Sequence, residues 1–383
     1  MKVGIVVPFS WSFWGAVLEH AELKSEALKA RGHDVKIIIG NDPPGTFTRA
    51  LHPRHGRHDD PPPDVIPVGR TVIVPANGSL PNICLSPRVP FRLKRAFAEE
   101  RFDVLHLHEP MTPAICVSAL AVARCPIVAT WHAAGELGWM RFGLSFWGGM
   151  LDRIDWRIAV SEQARASAQA WFKGWEFEVV PNGVLIPPEA DPDNRENTIV
   201  FIGRHDPRKG MPVLLKAWPD IHRRTGARLR LVGADPLAVQ LLLARHRIPH
   251  DGIDILGFLP QEKLTEELLR AKALAVPSVG QESFGMVLTR AFACGTPAVA
   301  SDIPGYAAVA TPETAVLVSP GDVDALADAV CGVLGDEARR QELGAAARRL
   351  VQERYAWDGI ARRLVQIYEL VTGVRADEAA LAS

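Results

Sequence analysis

The chain has 383 residues, enough for two to three domains at roughly 150 residues each, with 48% hydrophobic and 23% charged side chains. Its 43 Lys and Arg balance 44 Asp and Glu to a formal net charge of -1, which excludes both a disordered polyelectrolyte and a surface built to coat nucleic acid. Five scattered cysteines (Cys84, Cys116, Cys125, Cys294, Cys331) contain no C-x-x-C pair, so neither a zinc ribbon nor a disulfide scaffold is expected, and a reducing, cytoplasmic setting fits.

Short β-branched runs alternate with segments of helical period, the signature of parallel sheets covered by helices. Val3–Val7 reads as a buried strand, Val17–Ala30 as a helix stopped at Gly32, and Val35–Ile39 as the next strand. Further strands are predicted at Val72–Val74, Val104–Leu107, Ile127–Thr130, Ile158–Val160 and Glu178–Val180. Between Gly40 and Arg70 the pattern lapses into a stretch rich in Pro, Gly and His with Pro61-Pro62-Pro63, read as a long irregular loop.

A second lapse, Ile186–Asn197, carries Pro187, Pro188 and Pro192 and reads as the interdomain linker. A second series follows: strands at Ile199–Ile202, Leu229–Val232, Ile253–Leu256, Leu274–Pro277, Ala298–Ala300 and Val316–Val318, with helices from Met211, through Leu237–Arg245, from Gln261 and from Gly285. After Asp336 the chain reads as helical, with a break at Tyr355-Ala356-Trp357. The expected organisation is a first α/β domain over 1–188, a second over 189–356, a terminal helix over 357–373 returning to the first, and a tail over 374–383. Two such domains predict a cleft facing the carboxyl ends of their strands. The apolar runs at the start and at Ala114–Ala123 are too short for a signal-peptide core or a membrane span, so a membrane role would be peripheral.

Three loops carry candidate chemistry. Gly203-Arg204-His205-Asp206-Pro207-Arg208-Lys209-Gly210 leaves a strand and enters a helix, so its cations could neutralise a diphosphate or form a solvated charge run. Gly280-Gln281-Glu282-Ser283-Phe284-Gly285 precedes the helix Met286–Cys294, whose free N–H groups would face an anion. Glu282 at that mouth suits sugar hydroxyls better than phosphate, while a plain helix cap is the other reading. The third loop, Pro8 to Ala16, contains Gly15, which lets backbone approach a ligand closely.

Together with Phe102-Asp103-Val104-Leu105-His106-Leu107-His108-Glu109-Pro110, Thr130-Trp131-His132, Ala159-Val160-Ser161, Pro181-Asn182-Gly183-Val184 and Ala300-Ser301-Asp302, these segments resemble the retaining glycosyltransferases of family 4. The likeness runs from Met1 to about Gly373 and is strongest to the actinobacterial phosphatidylinositol mannosyltransferases. It implies the GT-B fold, two doubly wound Rossmann-like domains facing a central cleft, and transfer of a hexose, mannose favoured, from a nucleotide-diphosphate sugar to an inositol lipid or other membrane-associated acceptor.

By position, it makes Arg204 and Lys209 the holders of the donor diphosphate and Glu282 a contact to the donor sugar. Gly203, Ser283, Phe284, Gly285, Met286 and Val287 would surround sugar and phosphate, Phe258 the base, and His132 would reach the sugar from the first domain. Gly15 and Ala16 would lie near the diphosphate, the acceptor hydroxyl would attack on the face the phosphate leaves, and neither metal nor a tightly bound cofactor would be required. Two positions depart from the family. Its Glu-x7-Glu pattern begins at Glu282 but ends at Arg290, a donor-only cation where a carboxylate normally accepts both ribose hydroxyls, and Ala16 stands where a second Gly is expected. The alternatives are the same chemistry on a soluble sugar or inositol phosphate, or a binding protein with weakened catalysis.

From Pro87 to Arg101 the chain carries five basic residues (Arg88, Arg92, Lys94, Arg95, Arg101) and two acidic ones, a surplus of +3. Leu93, Ala96 and Phe97 share one helical face there with Arg92 and Arg95 turned away, a pattern that suits an anionic lipid surface or a helix covering a sheet. The resemblance favours lipid docking and a peripheral place on the inner face of the cell membrane. Trp139, Met140, Phe142, Phe146 and Trp147 read as an acceptor-covering lid or as core, and His52–Asp59 lacks the framework of a metal site.

Overall fold

The computed structural model describes residues 1–13, 15–42, 60–74, 81–132, 149–189, 194–204, 206–280 and 282–374. The chain divides into two compact units: Met1–Gly183 with the segment from Trp357 onward, and Val184–Ala356. The first unit thus closes at Gly183, five positions before the expected 188. A Cβ on Gly183 would lie 2.3 Å from the Trp357 indole, so only glycine lets the terminal helix seat here.

The first unit contains strands β1 (Lys2–Ser10), β2 (Asp34–Gly40), β3 (Val65–Gly69), β4 (Thr71–Ile73), β5 (Asn82–Cys84), β6 (Val104–His108), β7 (Ile127–Trp131), β8 (Trp156–Ala159) and β9 (Glu178–Val179). Seven of them form a parallel sheet in the order β3-β2-β1-β6-β7-β8-β9. Their Val and Ile runs are buried because helices cover the sheet, which is why these strands read as continuous apolar stretches rather than alternating ones. β1 runs beyond Val7 through Pro8, whose missing N–H coincides with a shift of register against β2 between Val6 and Ser10.

Two expectations need correction here. The stretch from Gly40 to Arg70 is not wholly irregular: β3 pairs in parallel with β2 despite Pro67, because β3 is the sheet's edge and a proline there leaves no ladder bond unmade on its open side. The predicted strand at Val72–Val74 belongs to a separate two-stranded antiparallel sheet, β4 with β5, and not to the main sheet.

Helices follow the strands at Ala16–Lys29, Val89–Glu100, Ile115–Val122 and Glu162–Trp171, the last capped by Ser161 Oγ accepting from Ala164 N at 3.0 Å. The helix Trp357–Thr372 packs Trp357, Ile360, Leu364, Ile367 and Tyr368 into this unit's core.

The second unit contains β10 (Glu196–Ile202), β11 (Arg228–Val232), β12 (Ile253–Gly257), β13 (Ala271–Val276), β14 (Ala298–Ser301) and β15 (Ala315–Val318), all parallel in the order β12-β11-β10-β13-β14-β15. Helices Met211–Thr225, Pro236–His246, Gln261–Arg270, Met286–Ala293 and Val323–Gly335 accompany them, and Glu337–Arg354 closes the unit. Phe201, Trp218, Leu229, Val299 and Val330 meet in its core. In both sheets the strand order reverses beside the first strand, between β1 and β6 and between β10 and β13, and open α/β sheets bind ligands at such switch points.

Candidate functional site

In the second unit, the loops after β10 and β13 leave neighbouring strands at the switch point. The first forms a short turn, Pro207–Lys209, started by Asp206, which accepts from Arg208 N at 3.0 Å. Arg208 folds back onto the same carboxylate, Nη2 to Oδ2 at 2.6 Å. Burial opposes ionisation of Asp206, yet the Arg208 hydrogen bonds and charge hold its carboxyl below the usual range. Arg208 therefore braces the loop, whereas Arg204 is exposed at its rim.

The two loops meet backbone to backbone. Gly210 sits in the left-handed region (φ 71°), and a Cβ on it would lie 1.7 Å from the Pro277 carbonyl oxygen, so the contact requires glycine. Val279 N donates to Arg208 O at 2.8 Å. Across this junction Lys209 Nζ donates to Glu282 Oε1 at 2.6 Å, with the two side chains 27% and 15% exposed.

Residues that the sequence reading did not single out shape the floor. A Cβ on Gly305 would fall 1.9 Å from Glu282 O, and the Tyr306 ring lies where a Cβ on Gly285 would be 3.0 Å from it. Tyr306 Oη is 2.7 Å from Ser278 Oγ, and burial, with the Glu282 charge second, pushes its ionisation up so that it stays a neutral hydroxyl.

Gly285 is the N-cap (φ 83°) and the helix runs Met286–Ala293. The amides of Phe284, Gly285, Met286 and Val287 find no acceptor among the described residues. Free amides at a helix N-terminus are of the kind that favour an anion, and the Lys209–Glu282 pair stands at the loop that leads into this helix. Arg290 is half-buried on the same helix, and Phe258, 40% exposed, follows Gly257 at the end of β12.

In the first unit, the Pro8–Ala16 segment is tied over the ends of β1 and β2. Trp11 N donates to Gly40 O at 2.7 Å, Ser10 Oγ to Asp42 Oδ2 at 2.8 Å and Ser12 Oγ to Asn41 Oδ1 at 2.8 Å. Gly15 is extended (φ -160°) with open space around a Cβ, so its backbone needs no glycine. Ala16 is not strained either: it is the exposed first residue of the helix Ala16–Lys29 and lies outside the left-handed region.

His132 follows β7 and is 9% exposed, with its backbone N donating to Glu109 Oε1 at 2.8 Å. Its Nε2 lies 2.7 Å from His108 Nδ1, and behind that pair stand His20, His106 and Lys24, all buried. Burial, and then the charge of Lys24, lowers His132 to about 3, so it is a neutral imidazole at physiological pH. Among the described residues no three His, Cys, Asp or Glu side chains are arranged to hold a metal.

On the helix Val89–Glu100, Arg88 at the N-cap and Arg92, Lys94 and Arg95 are exposed, and Arg95 pairs with Glu99 at 2.7 Å. Leu93 and Ala96 are buried in the unit's own core, so the face proposed for lipid is already covered. What remains outside is Phe91, 77% exposed among the cations. No helix among the described residues is long and apolar enough to cross a membrane. Trp139, Met140, Phe142, Phe146 and Trp147, the His52–Asp59 cluster, His205, Gln281 and the tail from 375 lie outside the described residues.

Comparisons with known proteins agree with this picture. A family profile described as Glycosyltransferase Family 4 matches residues 19–185, and one described as Glycosyl transferases group 1 matches residues 196–336. A phosphatidyl-myo-inositol mannosyltransferase from Mycobacterium leprae is 33% identical over 391 residues, covering 97% of each chain. Among solved structures, sucrose-phosphate synthase from Thermosynechococcus elongatus superposes with a TM-score of 0.72 at 22% identity, over 97% of this chain and 99% of that one. Anabaena HepE in complex with UDP and glucose gives 0.70 at 19% identity, over 97% of this chain and 100% of that one. With two Rossmann-like units and this relationship across its length, the chain belongs to the family-4 glycosyltransferases of GT-B fold.

Proposed function

We propose that this glycosyltransferase moves a mannosyl group, with retention of anomeric configuration, from a nucleotide-diphosphate sugar to an inositol lipid in an anionic membrane surface. The observation that carries this reading is the 33% identity over 97% of the chain to an enzyme named for that transfer. The site chemistry supports it. Arg204, Lys209 and the amides of Phe284 to Val287 hold the diphosphate, and they stabilise the charge that develops on it as the sugar C1–O bond breaks. The electron pair leaves with the phosphate. The acceptor hydroxyl oxygen bonds to C1 on the same face, and its proton passes to the departing phosphate oxygen.

Lys209 and Glu282 pair with each other. A bound diphosphate takes over Lys209, which frees Glu282 to accept from the sugar hydroxyls. His132 contacts the transferred sugar, Gly203 and Ser283 line the donor, Phe258 marks the base end, and Arg290 donates to oxygens of the nucleotide in place of the missing carboxylate. Gly15 and Ala16 border the acceptor side. No metal or resident cofactor is needed for these roles, because the cations and amides supply the electrostatics.

Arg88, Phe91, Arg92, Lys94 and Arg95 form the membrane-facing patch, with one exposed aromatic ring among four cations. Each cation near an anionic surface contributes about 1 kcal/mol, which is enough for reversible, peripheral attachment at the cytoplasmic face. The test is transfer from a panel of UDP- and GDP-sugars to phosphatidylinositol in vesicles. We expect transfer, and at least a tenfold loss of vesicle binding, on the order of 1.4 kcal/mol or more, for Arg92→Glu with Arg95→Glu. Transfer to soluble inositol phosphate at the same rate, indifferent to vesicles and to both reversals, would assign the soluble acceptor instead.

A further inference from the structure

Lys24 is 1% exposed on the helix Ala16–Lys29, and no carboxylate is within ion-pair distance of it among the described residues. Its ammonium nitrogen lies 3.2 Å from His106 Nε2 and 3.1 Å from His108 Nε2. From there the contacts continue in two directions. His106 Nδ1 is 2.6 Å from Tyr368 Oη, with Thr130 Oγ1 2.6 Å from the ring's other nitrogen. His108 Nδ1 is 2.7 Å from His132 Nε2. His20 packs edge-on against both His108 and His132 and lies tilted against Trp357, with ring centroids 5.0 Å apart, which closes the cluster on that side.

A lysine in such a place has to answer for its burial, since an unpaired polar group away from water costs several kcal/mol. Four imidazoles do not offset a charge as a carboxylate does, but their nitrogen lone pairs can accept hydrogen bonds. Burial pushes the Lys24 amine well toward its neutral form. With three hydrogens it can only donate to both Nε2 atoms, and with two it still has a hydrogen for each, although its lone pair is then also able to accept from an Nε2–H.

The consequence travels along the chain of rings. If His108 Nε2 accepts from Lys24, the hydrogen of a neutral His108 sits on Nδ1 and is donated to His132 Nε2. His132 then accepts at Nε2 and carries its own hydrogen on Nδ1, an atom with no partner among the described residues.

We propose that Lys24 is a positioning residue that acts through His108 to fix His132 in the Nδ1–H tautomer, so that the ring presents a hydrogen-bond donor to the oxygen of the transferred sugar. The tautomer follows from the contact geometry with Lys24 as the donor to His108. Its effect on transfer rests on the reading of His132 as a sugar contact. The motif residue His108 thereby gains a function: it relays the orientation of one side chain to another.

Nitrogen-15 NMR of the full chain with labelled histidine, assigned through His132→Gln, reads the tautomers directly and does not depend on activity. We expect Nδ1–H signatures for His108 and His132 in the native protein, and loss of a single His132 tautomer in Lys24→Met. A native His132 protonated on Nε2, or an unchanged Nδ1–H signature in folded Lys24→Met, overturns the proposal. The native measurement decides even if the variant does not fold.

Kinetics then separate positioning from mere support. Lys24→Met and His132→Gln should each slow transfer on the order of tenfold, with no further loss when combined. Losses that multiply in the double variant would mean Lys24 acts independently of His132. If the tautomers are as stated but no substrate is turned over, the functional reading fails while the positioning geometry stands.

Discussion

The two units share a strand order and differ in where they keep their cations. In the second, Lys209 lies at the mouth of the switch point, 27% exposed and neutralised by Glu282. In the first, Lys24 is sealed beneath the switch point among imidazoles, 1% exposed. A half-buried pair that still reaches water can trade its partner for a ligand, because water takes up part of the charge that is released. A buried amine cannot be exchanged in that way, so its use is to hold neighbouring groups in one arrangement. On the proposed reading, the same topology serves recognition in one half and orientation in the other.

The largest test of this contrast falls on the half-buried pair at the mouth. Lys209→Ala should lower kcat/KM for transfer by roughly 100- to 1000-fold, the range for removing a donor to developing charge, while unfolding free energy changes by less than about 1 kcal/mol. A loss below about threefold would remove Lys209 from the reaction. Glu282→Gln should weaken transfer too, and it should leave Lys209 available to bare diphosphate, which would then bind more tightly than to the native protein.

The buried cluster should reveal itself in pH dependence instead. Burial lowers the folded-state values of His20, His106, His108 and His132 below 6.5, to about 3 for His132. Below pH 6.5 the unfolded chain binds more protons than the folded one, so stability falls with pH by about 1.4 kcal/mol per unit for each ring until its folded value is reached. Lys24 is lowered from 10.5 in the same sense, so stability is fully present above 10.5 and declines as pH falls below it. Lys24→Met should abolish the alkaline slope and keep the acid one. Denaturant titrations from pH 4.5 to 10.5 measure both, and hydrogen exchange should place the acid loss in the first unit. An acid slope confined to the second unit would contradict this assignment.

How far all this was legible in the sequence depended on whether a residue's role was local. The cationic loop and Glu282 were visible because strand, loop and helix start lie within a few positions, and the buried strands announced themselves as Val and Ile runs. β3 was hidden by Pro67 and by the triple proline before it, since a proline forbids a central strand but not an edge one. Gly305 and Tyr306 shape the floor beneath Glu282 and Gly285 through contacts spanning some twenty residues, which no window along the chain displays. Lys24 was not singled out in the sequence, although it falls at the helical spacing of the buried Ala21 and Leu28. A second local hint was Leu105-His106-Leu107-His108 in β6, where alternation puts two imidazoles on one face of a strand that is buried throughout.

The smallest effect separates a missing glycine from a required one. Gly210 cannot accept a side chain, because its φ is 71° and the Pro277 carbonyl occupies the place of a Cβ. Ala16 stands where the family resemblance expected glycine, yet it opens a helix with ordinary backbone and an exposed methyl. Ala16→Gly therefore relieves nothing and adds freedom to the unfolded chain. It should cost up to about 1 kcal/mol, less than a mid-helix change because the first turn frays. Chemical denaturation can resolve that difference, and its sign is what matters: a gain in stability would mean that the methyl is strained after all, whereas a small loss with unchanged donor affinity would make Ala16 a neutral departure from the family pattern.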